Sequence, residues 1–168
     1  MLKADLHVHT HYSADSAMSP ERLLRRCLEK GINCVAVTDH NTIDGALELK
    51  CIAPFPVIIG EEVRTTNGEV MGLFLSEEVP RFLTPLETAA RIKAQGGLVC
   101  IPHPFDWLRR SLLGRKTLEA LLPHIDIVEV FNSRSMLGSY LSKALAFAER
   151  YGLAVSAGSD AHSPGEVG

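Results

Sequence analysis

The 168-residue chain has no apolar run near the roughly 18 residues of a membrane span, and its opening residues, Met1-Leu2-Lys3-Ala4-Asp5-Leu6-His7, lack the apolar stretch of a secretory signal. A soluble cytoplasmic protein with no membrane partner is therefore expected. Aromatic residues are scarce at 6%, with a single Trp, and 17 basic against 20 acidic residues leave a formal charge of −3. This balance offers no global attraction to nucleic acid or anionic lipid, so any anion must be held locally, and long nucleic acid is not the expected partner. The four cysteines, Cys27, Cys34, Cys51 and Cys100, form no Cys-x-x-Cys pair. Each sits among apolar residues, which predicts buried free thiols.

What is present is ordinary globular usage, 46% hydrophobic and 22% charged, enough for one compact domain burying roughly 68–70% of its unfolded surface. Short apolar runs alternate with helix-like stretches throughout. Strands are predicted at residues 3–9, 33–38, 56–60 running on to 66, 69–75, 98–102, 125–131 and 153–158. Helices are predicted from Ser19-Pro20-Glu21 to Gly31, over 43–51, over 85–95 behind the capping box Thr84-Pro85-Leu86-Glu87, near 118–122 and near 140–151. Leu23, Leu24, Cys27 and Leu28 should form the apolar stripe of the first helix, and Leu141, Leu145 and Ala148 that of the last. Asn67-Gly68 marks a hairpin. Strands separated by helices imply parallel pairing, in an open α/β sheet or an α/β barrel, with ligands gathered at the carboxyl ends of the strands.

That is where the unusual residues lie. Asp5, His7 and His9 alternate with Leu6 and Val8, so the strand period of two places all three polar side chains on one face. Further strand ends carry Thr38-Asp39-His40-Asn41, Glu61-Glu62, His103, Glu129 with Asn132, and Asp160 with His162. Imidazole and carboxylate converging at strand ends are the ligands that Zn²⁺, Mn²⁺ or Fe²⁺ take. Five histidines, His7, His9, His40, His103 and His162, at four strand ends are explained most economically by a shared metal site. Asp5 and Asp39 are expected to orient imidazoles, only one of Glu61 and Glu62 can face inward, and His124, at a helix end, is expected to be a surface or capping residue. His11 has no clear strand phase and is left between orienting a ligand and lying in a loop.

Asp5-Leu6-His7-Val8-His9-Thr10 with Ser13 and Asp15, then Thr38-Asp39-His40-Asn41, Gly60-x-Glu62, His103-Pro104 and Gly158-Ser159-Asp160-Ala161-His162, resemble the ordered motifs of the polymerase and histidinol phosphatase (PHP) superfamily. The resemblance spans nearly the whole chain, with residues 127–168 similar to the associated C-terminal part of some members. It implies an α/β fold, a distorted barrel of about seven β/α units, and a site of two or three divalent ions (Zn, Mn or Fe) that cleaves phosphoesters. His7, His9, Glu62 and Asp160 would hold one ion, Glu62 and His103 a second, and Asp15, His40 and His162 a third. Many members place another histidine on the strand after the hairpin, where Val70-Met71-Gly72 offers none. Family barrels also continue past the last ligand pair, so a missing strand and helix, an open edge and an apolar seam are expected.

Three divalent ions set against Asp15, Glu62 and Asp160 would leave a charge of about +3, matched by a phosphomonoester dianion plus hydroxide. The expected substrate is thus a phosphorylated small molecule or short nucleotide, attacked by ion-activated water rather than by a side chain. The loop of residues 105–116 carries Arg109, Arg110, Arg115 and Lys116 beside Trp107, a local basic patch fit to clamp phosphate or act as a lid, with Arg134 a second candidate. Amidohydrolase chemistry, whose barrels also begin with His-x-His, and a non-catalytic metal-stabilised module are the competing readings. The oligomeric state is not legible.

Overall fold

The computed structural model describes residues 1–109, 111–135 and 138–168. Seven strands form one sheet in sequence order: β1 (Ala4–Val8), β2 (Cys34–Val37), β3 (Val57–Arg64), β4 (Glu69–Leu73), β5 (Leu98–Ile101), β6 (Ile127–Asn132) and β7 (Ala154–Gly158). All neighbours pair in parallel except β4, which runs antiparallel to both β3 and β5. The Asn67-Gly68 turn produces that reversal, with Gly68 in the left-handed region at φ 81° that this turn requires.

The expected open edge is bridged. Beyond the end of β7 the Asp160 amide donates to the His7 carbonyl at 2.7 Å and the His9 amide to the Ala161 carbonyl at 2.9 Å, so the sheet curls into a nearly closed barrel. Away from that edge, on the paired strands β6 and β7, Phe131 and Val155 are about half exposed on the outside.

Five helices connect the strands: α1 (Pro20–Lys30), α2 (Asp44–Ile52), α3 (Pro85–Ala94), α4 (Arg115–Leu121) and α5 (Gly138–Tyr151). The local signals explain their ends. Ser19 caps α1 through the Arg22 amide, Gly31 closes it at φ 68°, and Thr84 and Glu87 complete the capping box of α3 in both directions. Thr84→Ala should lower stability by about 1 kcal/mol, read as a shift in a urea unfolding curve with the metal site untouched.

Apolar side chains separate into three layers. Leu6, Ala36, Met71, Leu73 and Cys100 fill the barrel interior. Leu23, Cys27 and Leu49 pack α1 and α2 on the outside of β1 and β2, while Ile92, Leu121, Ala144 and Ala148 cover the outside of β4 to β6. Two predicted stripes are rotated. Leu28 is exposed on α1, and α5 buries Tyr140, Ala144 and Ala148 while Leu141 and Leu145 are partly exposed. Small residues let α5 approach the sheet closely, and the Tyr140 hydroxyl donates to the Glu129 carbonyl at 2.8 Å, which sets the helix's rotation. Cys51 is likewise exposed, whereas the other three thiols are buried.

Candidate metal centre

Each polar strand end is delivered to one mouth of the barrel. His7 and His9 come from β1, Asp39 and His40 follow β2, Glu62 lies on β3, His103 follows β5, Glu129 lies on β6, and Asp160 and His162 follow β7. His103 and Asp160 adopt φ values of 33° and 53°. Non-glycine residues there cost about 1–3 kcal/mol each, strain that collects at functional sites. It is offset locally, since the His103 amide donates to Glu129 Oε2 at 2.8 Å and the Asp160 amide to the His7 carbonyl.

The Nε2 atoms of His7 and His9 lie 3.1 Å apart. Glu62 Oε2 is 3.4 Å from each, and Asp160 Oδ1 is 3.5 and 3.3 Å away. Hydrogen bonding assigns the tautomers. Glu129 Oε2 already accepts from the His103 amide and the Asn132 side chain, and its Oε1 lies 2.8 Å from His7 Nδ1, which must donate. Ser13 gives its only proton to Asp39 Oδ1 at 2.7 Å and accepts from the His40 amide, so His9 Nδ1, at 3.2 Å, is also a donor. Two bare Nε2 lone pairs thus face each other and two carboxylate oxygens, of which Asp160 Oδ1 is buried with no hydrogen-bond partner among the described residues. Four converging acceptors are the donor set a divalent cation completes.

Desolvation alone would lower the pKa of His7, but Asp160, Glu129 and Glu62 drive it well above the ordinary imidazole value. His9 is lowered to about 4, chiefly by desolvation. Burial would raise the pKa of Glu62 and of Asp160, yet His7 beside each carries both well below the carboxylate range.

Among the described residues, three groups bring ligand atoms within 4.8 Å of one another: His7, His9 and Glu62; His9, His40 and His162; and Glu62, Glu69 and His103. Asp15 Oδ2 joins the second group, 3.3 Å from His162 Nε2 and 3.6 Å from His40 Nε2. Glu62 spans the cluster, its Oε1 3.0 Å from His103 Nε2 and its Oε2 3.3 Å from His40 Nδ1.

Glu69 is the residue sequence reasoning missed. The hairpin register could have found it: Glu62 pairs with Met71 and Arg64 with Glu69, so all four project from the same face of the hairpin. Glu69 stands immediately before Val70-Met71-Gly72, the segment without a histidine.

Other expectations need correcting. Neither Asp5 nor Asp39 touches an imidazole. Asp39 holds the Thr10 amide and hydroxyl and Ser13, acting on His9 through that serine, and Asp5 accepts from the Ser159 amide at 2.8 Å, tying β7 to β1. Orientation of His7 falls to Glu129 instead. Glu61 points away and accepts from the Val79 amide. His11 stacks on Tyr12 at the surface, ring centroids 4.7 Å apart, and His124 lies in a single 3-10 turn, Leu122–His124, after α4.

The basic loop is smaller than expected. Arg115 and Lys116 belong to α4, where Arg115 pairs with Glu119, and Arg110 lies outside the described residues. Arg109 reaches the centre, with Nη2 2.5 Å from Asp160 Oδ2 and 3.2 Å from Asn132 Oδ1, while Arg134 Nη1 lies 2.7 Å from His162 Nδ1. An open cavity of about 1380 Å³ stands over the centre, with Glu62 and Asp160 at its floor and Arg64, Arg81, Arg109 and Arg134 in its walls.

The PHP domain family matches residues 5–100, and the PHP-associated family residues 138–168. Two uncharacterised proteins of Methanocaldococcus jannaschii are 43% identical over 145 residues (79% of this chain, 82% of the relative) and 42% identical over 171 (99% and 68%). A 5'-3' exoribonuclease of Haemophilus influenzae is 37% identical over 76 residues, 44% of this chain and 27% of that one. Among solved structures, a protein assigned as a metal-dependent phosphoesterase from Bifidobacterium adolescentis superposes with a TM-score of 0.82 at 19% identity, over 98% of this chain and 89% of that one. An amidohydrolase from Chromobacterium violaceum with bound sulfate gives 0.77 at 21% identity, over 97% and 88%.

Proposed function

The chain belongs to the PHP domain family, and from that premise we propose that it is an enzyme that hydrolyses a phosphoester with two or three divalent ions, Zn²⁺, Mn²⁺ or Fe²⁺. The observation that carries this reading is the pair of bare imidazole nitrogens 3.1 Å apart, joined by Glu62 and Asp160 beneath an arginine-walled cavity. His7, His9, Glu62 and Asp160 would hold one ion, Glu62 with His103 a second, and His40, His162 and Asp15 a third. When bound, such ions supply an activated water and stabilise charge on the attacking and leaving oxygens.

The chain's own groups do the rest. Glu129 and Ser13 keep protons on the Nδ1 atoms of His7 and His9, so both Nε2 lone pairs stay directed at the centre. Ser13 cannot serve as a nucleophile, because its proton is committed to Asp39 and its oxygen to two donors. Arg109 and Arg134 bind and orient a phosphate entering from the cavity. A cavity of about 1380 Å³ has room for a phosphorylated small molecule or short nucleotide, and the exoribonuclease relative, matched over 27% of its length, supports phosphoester chemistry. The amidohydrolase neighbour supports a second reading, hydrolysis of an amide.

The test is metal analysis of the purified protein followed by assays on phosphomonoester, phosphodiester and amide substrates. Phosphoester turnover that disappears with a chelator and returns with metal is expected; turnover of amides alone, or metal without turnover, overturns the proposal. Arg109→Ala should raise KM for the phosphorylated substrate by about tenfold with metal content unchanged. Unaltered KM would remove Arg109 from the binding role.

A further inference from the structure

The group formed by Glu62, Glu69 and His103 differs in chemistry from the other two. Glu62 and His103 are 2% and 1% exposed and Glu69 is 8% exposed, with ligand atoms within 4.8 Å of one another. Two carboxylates converge here on the lining of the open cavity; the imidazoles of His7, His9, His40 and His103 stand 3.0–3.4 Å from Glu62, whereas Glu69 has no ion-pair partner among the described residues. The His103 imidazole meets Glu62 Oε1 at 3.0 Å, and Ser111 supplies a hydrogen bond to the Glu69 carboxylate. Arg64 stands directly across the hairpin from Glu69, yet the two form no ion pair among the described residues.

The backbone holds this arrangement firmly. Glu69 opens β4 and its amide donates to the Ser111 carbonyl at 3.0 Å, while the register Met71–Cys100 between β4 and β5 carries His103 to the same mouth. We propose that Glu69 is a direct ligand of the second ion, and that this site, with two carboxylates and one imidazole, takes an oxygen-preferring ion such as Mn²⁺ more readily, relative to Zn²⁺, than the imidazole-rich site does.

The contrast lies within one cluster. His40 and His162 with Asp15, close to His9, form an imidazole-rich set suited to Zn²⁺. At the second site the bridging Glu62 and Glu69 together carry the two negative charges that neutralise one divalent ion, and carboxylate oxygens suit Mn²⁺. The cluster would then hold ions of two kinds, sorted by donor type.

This inference rests on the metal-dependent reading above, and its test separates the two. Stripped protein is reloaded with Zn²⁺ and then titrated with Mn²⁺, following bound Mn²⁺ by electron paramagnetic resonance and both metals by elemental analysis. The wild type should retain one Mn²⁺ against Zn²⁺. Glu69→Gln should weaken Mn²⁺ binding by about tenfold or more with Zn²⁺ content kept, and Glu69→His should exchange the retained Mn²⁺ for Zn²⁺. Unchanged Mn²⁺ affinity in Glu69→Gln, or Zn²⁺ at every site of the wild type, overturns the assignment while leaving the metal-dependent reading intact. Protein that binds neither metal overturns both.

Discussion

Replacing His7 and His9 together by alanine is expected to lower phosphoester turnover by about 10³-fold or more and to remove the ion that His7, His9, Glu62 and Asp160 would hold. The pair supplies both imidazole donors of that group, and His9 also borders the group of His40 and His162. Loss of function should not come from loss of fold, because removing two imidazoles also removes a crowded set of acceptors that only a cation satisfies. Glu129 keeps its bonds to the His103 amide and Asn132, and Asp39 keeps Thr10. Elemental analysis, kinetics and circular dichroism on the same preparation decide the matter. A double variant with native metal content and native turnover would place the centre elsewhere.

Gly158→Ala should be the most damaging single methyl in the barrel. A Cβ at that position would lie 2.3 Å from His7 Cβ, 2.9 Å from the His7 amide nitrogen and 3.1 Å from Glu129 Oε1. None of these atoms can yield cheaply. His7 is tied to Asp160 through its carbonyl and to Glu129 through its ring, so relief requires β7 to part from β1 at the seam that nearly closes the barrel. A cost of about 3 kcal/mol is expected, enough to lower the midpoint of urea unfolding by about 1–2 M. Gly165→Ala serves as the control, since nothing lies within 4 Å of its would-be Cβ, and it should stay within about 0.5 kcal/mol of wild type. Equal midpoints for the two variants would mean that the seam is looser than its hydrogen bonds imply.

These effects show which features a linear reading can reach. The alternation of strands and helices, the caps at Ser19 and Thr84 and the turn at Asn67-Gly68 are legible because each is decided within a few residues. The strand period anticipates the burial of His7 and His9, but a register shift between Asp5 and Val8 breaks it, so Leu6 packs in the barrel interior and Val8 in the outer layer. The rotation of α5 was not legible, because Leu141, Leu145 and Ala148 also satisfy helical spacing; contact with β6 and the Tyr140 bond to Glu129 choose the other face. Glu69 lies between these cases. Hairpin arithmetic reaches it, but nothing about a lone glutamate at the start of a strand marks it as a ligand.

By itself, the sequence determined the α/β class, the strand ends that carry chemistry and the identity of most converging side chains, since periodicity and capping act over short range. Only the tertiary structure decided which atoms meet. It made Glu129 and Ser13, rather than Asp5 and Asp39, the groups that orient the two imidazoles, and it left Arg115 and Lys116 on a helix while bringing Arg109 to Asp160. It also joined Glu69 to Glu62 and His103 across two strands. The reason is physical: a candidate ion site is defined to a few tenths of an ångström by residues up to 153 positions apart, such as His7 and Asp160, and that precision comes from the closure of the barrel.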